Sequence, residues 1–268
     1  MIVPKAIYEF TSGNSPMIIS MPHSGTVLAE TMHDRMTSQG KALIDTDWHI
    51  PMLYEFAHEM GVTTIRANYS RYVVDLNRPV GGGALYAGQS ETQICPTSTF
   101  MDHKLYVTDQ EPSAQEIANR VENYWVPYHQ RLKSEIEKIK QQHGYALLWD
   151  AHSIQSKLPR FFEGALPNLN LGTASGASCD PLLRQQLSDL LDSTKYKAIV
   201  DGRFKGGYIT RNYGNPDDRV HAVQMEIAQS TYMSEYPCFE YDHDSANKLK
   251  PVLKMLVDSM LAFTPSPL

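Results

Sequence analysis

The sequence is poor in cysteine. Only Cys95, Cys179 and Cys238 occur among 268 residues. No two are spaced as CxxC, so a cysteine-built zinc site is not expected, and their scatter suits a reducing compartment better than a disulfide scaffold. Basic runs are also lacking and the formal net charge is −6, which argues against nucleic acid as a partner. No apolar run approaches the roughly 20 residues needed to cross a bilayer. The N-terminal MIVPKAIYEF lacks the basic-then-apolar pattern of a secretion signal. No membrane partner is expected, and a cytoplasmic protein is. The sequence contains no GxSxG elbow, which speaks against a serine hydrolase of that type. The glycines at 81–83 lack the strand–GxGxxG–helix context of a dinucleotide site. What remains is ordinary globular composition, 42% hydrophobic and 20% charged. It is read as a single domain over residues 1–268, long enough to bury a core without covalent support.

Apolar runs alternate with long amphipathic stretches, the pattern of an α/β fold of three αβα layers around a mostly parallel or mixed sheet. Met17 to Met21 reads as a short buried strand that stops at Pro22. Thr63 to Ala67, Tyr72 to Leu76, Tyr145 to Trp149 and Lys197 to Val200 read as further strands. Helical spacing of Ile50, Leu53, Phe56, Ala57 and Met60 predicts a helix over about 45–60. Longer helices are predicted over about 114–143, bent or broken at Pro127, over 181–191 and over 245–262. The Gly/Pro-rich stretch from Pro79 to about Tyr106 is too long for a simple connection and reads as a folded loop covering something. Val220 to Ile227 alternates, with Ala222, Gln224 and Glu226 on one face and His221, Val223, Met225 and Ile227 on the other.

Ligands in such sheets bind beyond the carboxyl ends of the strands. His23 in PHSG (22–25) and His152 in WDAHS (149–153) both follow apolar strands there. A hydrolytic zinc takes about three His or carboxylate ligands and leaves a position for water. Asp47 in DTDWH (45–49) is the preferred third ligand, with Asp45 and His49 as alternatives; Asp45 could equally be a helix N-cap. Asp150, two residues before His152, could orient that ligand from behind. Glu226 sits among apolar neighbours in VQMEIA, where a carboxylate is expensive to bury without a partner. It reads either as a general base that takes a proton from water or as half of a salt bridge. Arg71, Arg78, Arg203, Lys205 and Arg211 stand at turns and strand ends, where an Arg can grip a carboxylate with two parallel hydrogen bonds. Asn77 precedes Arg78, and Gly206 and Gly207 in RFKGGYITR (203–211) would let backbone approach a ligand.

Taken together, PHSG, DTDWH, YSRYVVDLNRP (69–79), LLWDAHSI (147–154), GRFKGGYITRNYG (202–214) and HAVQMEIAQSTYM (221–233) resemble the N-formylglutamate amidohydrolases. The likeness runs in order from about residue 16 to 235. It implies a phosphorylase/hydrolase-like fold shared with zinc carboxypeptidases, a zinc cofactor, and hydrolysis of N-formyl-L-glutamate to formate and L-glutamate in histidine degradation. It also implies an Asn-Arg pair at Asn77 and Arg78, metal ligands at His23 and His152, and a catalytic Glu226. Arg78 would stabilise the oxyanion or bind substrate, and Arg71, Asn77, Arg203, Lys205 and Arg211 would contact a small acidic N-acyl amino acid. One departure stands out. The wider superfamily carries H-x-x-E, whereas Thr26 follows His23 by three, so the carboxylate ligand falls to Asp47. Two other readings differ in class. One is a related zinc deacylase or carboxypeptidase acting on another N-acyl amino acid; the other is a non-enzymatic binder of acidic amino acids. Metal analysis separates the last from the rest.

Overall fold

The computed structural model describes residues 6–82 and 93–266. Its strands are β1 (Tyr8–Thr11), β2 (Met17–Met21), β3 (Thr63–Ala67), β4 (Ala146–Ile154), β5 (Leu169–Gly172), β6 (Ala198–Val200) and β7 (Val220–Ala228). They form one mixed sheet in the order β1-β3-β2-β4-β7-β5-β6. β3, β2, β4 and β7 run parallel, while β1 is antiparallel on β3 and β5 antiparallel on β7. The helices are α1 (Ser38–Lys41), α2 (Ile50–Leu53), α3 (Ala114–Arg120), α4 (Val126–His143), α5 (Pro181–Asp192), α6 (Tyr208–Tyr213) and α7 (His243–Ala262). None among the described residues is long and apolar enough to cross a membrane.

Helices cover both faces. On one, Leu183 and Leu187 of α5 and Leu249, Leu253 and Leu256 of α7 pack on Met17, Ile19, Leu147, Trp149, Val223 and Met225. On the other, Tyr128, Leu132 and Ile136 of α4 and Ile209 of α6 pack on Ile18, Ile65, Leu148 and Ala222. Central parallel strands covered on both sides are buried throughout, and every residue of β4 and β7 is. The second face changes character along its length. It is apolar at Leu148 and Ala222 beneath α4. Two residues further on, toward the carboxyl ends, it becomes Asp150, His152, Gln224 and Glu226, with His152 paired in register to Glu226. The polar residues therefore gather where α4 no longer covers the sheet.

Several local expectations need correction. β4 does not end at Trp149 but continues through His152 to Ile154, because β7 stays paired with it to Ile154 after its pairing with β2 has ended at Asp150. Tyr72 to Leu76 forms turns rather than a strand. Its apolar residues are buried in two clusters, Tyr72 and Val73 in one and Val74 and Leu76 in the other. The helix expected over 45–60 is broken into α2 and a 3₁₀ turn at Glu55–Ala57, and His49 has left-handed backbone at φ 61°. The interruption in the 114–143 helix is a π-helical turn, Val121–Trp125, immediately before Pro127, whose missing N–H cannot serve an α-helical bond there. The described part of the Pro79–Tyr106 stretch contains no helix or strand; residues 83–92 lie outside the described set.

Candidate active site

Metal-type ligands from three separated segments meet at the carboxyl ends of β2 and β4. His23 lies just past β2 and His152 lies within β4. Asp47 is brought to them by a backbone bond in which its N–H donates to the His23 carbonyl (3.0 Å). His23, Asp47 and His152 are all buried, and one ligand atom of each lies within 4.8 Å of the others. Both imidazoles present Nδ1 to Asp47 Oδ2, at 3.7 Å for His23 and 2.9 Å for His152. Both have Nε2 against a second carboxylate, Asp75 Oδ1 at 2.7 Å and Asp150 Oδ2 at 3.1 Å. A carboxylate behind each imidazole is the arrangement that fixes the tautomer and orientation of a metal-ligating histidine.

The charge balance of the group points the same way. Of the buried carboxylates Asp47, Asp75 and Asp150, the first two share one buried guanidinium, Arg71, whose Nη2 donates to Asp75 Oδ2 at 2.8 Å and whose Nη1 lies 3.7 Å from Asp47 Oδ1. Asp47 Oδ1 and Asp150 Oδ1 are buried and accept no hydrogen bond among the described residues. Buried anionic oxygens without partners are costly, so the group is short of positive charge. Burial disfavours a charged His152, but Asp150 and Asp47 outweigh it and hold the imidazole well above its ordinary value. A proton on His152 thus stands where a cation between these carboxylates would stand. For His23, burial and then Arg71 prevail over Asp75 and depress the pKa. Burial works against the Asp75 anion, yet His23 and Arg71 prevail and keep it well below the usual carboxylate range. Two imidazoles and one carboxylate form the donor set of many hydrolytic zinc centres.

Glu226 faces the same space from β7. Its Oε2 accepts from Gln224 Nε2 at 3.2 Å. Burial pushes its carboxyl up to about 8, with His152 opposing the shift. No ion pair to Lys or Arg is formed by Glu226 among the described residues, so the salt-bridge alternative finds no support there. Asn77 fills the gap between β4 and α6. Its Nδ2 lies 3.0 Å from His152 Nε2 and 3.4 Å from Asp150 Oδ2, and its Oδ1 accepts from the Ile209 N–H at 2.7 Å. A cleft with about 630 Å³ of empty space, part of it open to solvent, joins these groups. It is lined by His23, Asp47, Arg71, Asp75, Asn77, Arg78, His152, Arg203, Gln224 and Glu226, with Phe100, Phe161, Phe204 and Ile154 as apolar walls.

The expected site residues divide clearly. His23, Asp47, His152, Glu226, Arg71, Asn77, Arg78 and Arg203 all line this cleft; Lys205 and Arg211 do not. Arg211 instead donates through Nε to the Gly206 carbonyl at 2.8 Å. Arg71, expected at substrate, lines the cleft and is also paired with Asp75 and Asp47. The two alternative third ligands have other partners. Asp45 Oδ2 accepts from the Tyr72 hydroxyl (2.8 Å) and the Phe100 N–H (2.9 Å), and His49 Nε2 donates to the Phe239 carbonyl (2.8 Å). Asp75 was not singled out by sequence. Its only local signal is the i,i+4 spacing to Arg71, whereas its decisive contact is with His23, 52 residues away. Gly207 approaches a side chain rather than a ligand: a Cβ there would lie 2.3 Å from Asn77 Nδ2.

The chain matches the family described as N-formylglutamate amidohydrolase over residues 15–233. It belongs to that family. Among curated proteins it is 46% identical over 258 residues to N-formylglutamate deformylase of Pseudomonas putida, covering 96% of each chain. The same identity and length hold for N-formylglutamate deformylase of Pseudomonas aeruginosa, with 96% of this chain and 97% of the relative covered. Among solved structures, the crystal structure of N-formylglutamate amidohydrolase from Ralstonia eutropha JMP134 superposes with a TM-score of 0.81 at 22% identity, covering 96% of this chain and 97% of the other. That likeness shows that the α/β fold with its mixed sheet is shared.

Proposed function

We propose that this amidohydrolase-family chain hydrolyses N-formyl-L-glutamate to formate and L-glutamate with a divalent metal, zinc by preference, held by His23, Asp47 and His152. The carrying observation is that this buried ligand group and the buried Glu226 open into one cleft that also holds Arg78 and Arg203. The names of the 46%-identical relatives support the substrate, and the His23, Asp47 and His152 ligand group, with an Asp47 oxygen that accepts no hydrogen bond among the described residues, supports the metal. When bound, such a cation supplies Lewis-acid polarisation of a carbonyl and lowers the pKa of water beside it.

The remaining work falls to side chains. Asp75 and Asp150 hold the Nε2 protons of His23 and His152, which keeps both Nδ1 atoms free to ligate. Glu226 is the base. Burial, reinforced by the Asp47 and Asp150 carboxylates, keeps its proton on up to about 8, and a nearby positive charge favours the carboxylate. As a carboxylate it accepts the proton of the attacking water, then passes that proton to the amine of glutamate as the C–N bond breaks. Arg78 stabilises negative charge on the former formyl oxygen. Arg203 takes a carboxylate of the substrate, the geometry for which a guanidinium fork is suited. The Phe100, Phe161 and Phe204 walls exclude water around these charges and strengthen them.

A substrate panel tests the reading. Metal-loaded protein should release formate from N-formyl-L-glutamate faster than it cleaves N-acetyl- or N-succinyl-L-glutamate, and should act poorly on N-formyl-L-alanine, which lacks the second carboxylate. Preference for a longer acyl group, or indifference to the side-chain carboxylate, would contradict it.

A further inference from the structure

Asn77 touches His152 and Asp150, yet the backbone that carries it, Asp75 to Arg78, belongs to no helix or strand. Turn backbone placed beside reacting groups has to be held by something else. The carbonyls on either side of Asn77 are both held, and by the same helix. His129 Nε2 donates to the Leu76 carbonyl at 2.8 Å, and Trp125 Nε1 donates to the Arg78 carbonyl at 3.0 Å. Residues four apart on a helix share a face, and here the two rings stack with centroids 3.8 Å apart. The π-helical turn ends at Trp125; inserted turns of this kind re-aim side chains and recur at functional sites. The Leu76 carbonyl can only accept, which fixes the proton on Nε2, and Nδ1 then accepts from the Tyr213 hydroxyl of α6 at 2.9 Å. Burial depresses the imidazole to about 4, so it stays neutral and keeps that tautomer near neutral pH. Neither Trp125 nor His129 lines the cleft.

We propose that Trp125 and His129 are positioning residues, a stacked pair that clamps the Leu76 and Arg78 carbonyls and thereby sets the Asn77 carboxamide between them at the active site. The proposal rests on the reading that this cleft is the hydrolytic site. Trp125→Phe keeps an aromatic ring for the stack and removes the donor together with part of the indole's bulk. His129→Phe removes the other donor, and His129→Gln restores one at nearly the same place. Misplacement of a reacting group by about 1 Å costs on the order of 100-fold, so Trp125→Phe and His129→Phe should each lower kcat/KM for N-formyl-L-glutamate by about 10- to 100-fold. His129→Gln should recover most of the loss.

A core residue with only a structural role gives a different pattern. If the pair acts through Asn77, Trp125→Phe should cost little further activity in an Asn77→Ala background. The same fold-loss in both backgrounds, or an unchanged kcat/KM in Trp125→Phe, overturns the proposal. Hydrogen–deuterium exchange supplies a readout independent of substrate. The Ile209 amide, which donates to Asn77, should exchange faster in Trp125→Phe than in the unsubstituted protein, and equal rates overturn the proposal. If the unsubstituted protein releases no formate, the substrate reading fails on its own and the exchange rates still decide the clamp. Should His129→Phe not fold, Trp125→Phe carries both tests.

Discussion

At the residue scale, the site places a buried carboxyl and buried histidines in opposed roles. Glu226 has burial raising its pKa and no cationic ion-pair partner among the described residues, which suits a group that must take and return a proton. Glu226→Gln should lower kcat by about 10²- to 10⁴-fold, the usual worth of a positioned base, while the bound metal measured by elemental analysis stays unchanged. Gly207 gives a second test. An added methyl would collide with an Asn77 carboxamide that Ile209 and Asp150 already hold. Gly207→Ala should therefore reduce kcat/KM with little change in thermal midpoint. His129 gives a pH test. Its folded pKa of about 4 lies below the ordinary 6.5, so the unfolded chain binds the proton first as pH falls. Its contribution to stability is complete above 6.5 and is lost progressively toward about 4, up to about 3 kcal/mol. Thermal midpoints measured from pH 7 to 4 should fall less steeply for His129→Gln than for the unsubstituted protein.

Which of these residues sequence could reveal follows from how their roles arise. His23 and His152 stand beside short apolar strands, and Glu226 interrupts an alternating one, so each carries a local signal. Asp75 carries almost none. Its function exists only after β2 and the 70–78 turns are brought together, and it sits in a tetrapeptide whose Asn and Arg draw attention first. Arg71 shows the converse: a recognisable cation at the cleft wall whose pairing with Asp75 and Asp47 only the fold reveals.

At the scale of elements, periodicity located β2, β3, β7 and the long helices to within a few residues, because their patterns are set by one buried face. It cut β4 short at Trp149. Polar Asp150 and His152 read as lying past the strand end, although they alternate with Trp149 and Ala151, which pack in the core below. A polar residue on a strand looks like an ending unless the fold shows that helix cover stops there. Residues 45–60 failed for a different reason. Their apolar spacing is helical, but the left-handed backbone at His49 and the tie from Asp47 to His23 break the run to deliver a ligand. The α7 layer packs on the face of the sheet opposite the site. Leu253→Ala in the fully buried middle of α7 should cost about 2–5 kcal/mol in chemical denaturation, with kcat retained at temperatures where the variant is folded.

At the scale of the whole molecule, the sheet brings together ligands separated by more than a hundred residues, and metal binding is therefore linked to folding. A cation bound only by the folded chain stabilises it by about 2.7 kcal/mol at a free concentration 100-fold above its Kd. Added zinc should raise the thermal midpoint of the unsubstituted protein and leave that of Asp47→Asn nearly unmoved. The most direct measurement follows from the same linkage: formate release from N-formyl-L-glutamate before metal removal, after exhaustive chelation, and after zinc is restored. The account predicts that activity is lost with the metal and returns with about one equivalent of zinc, the occupancy of a single three-ligand centre. Full activity in verified metal-free protein would contradict it.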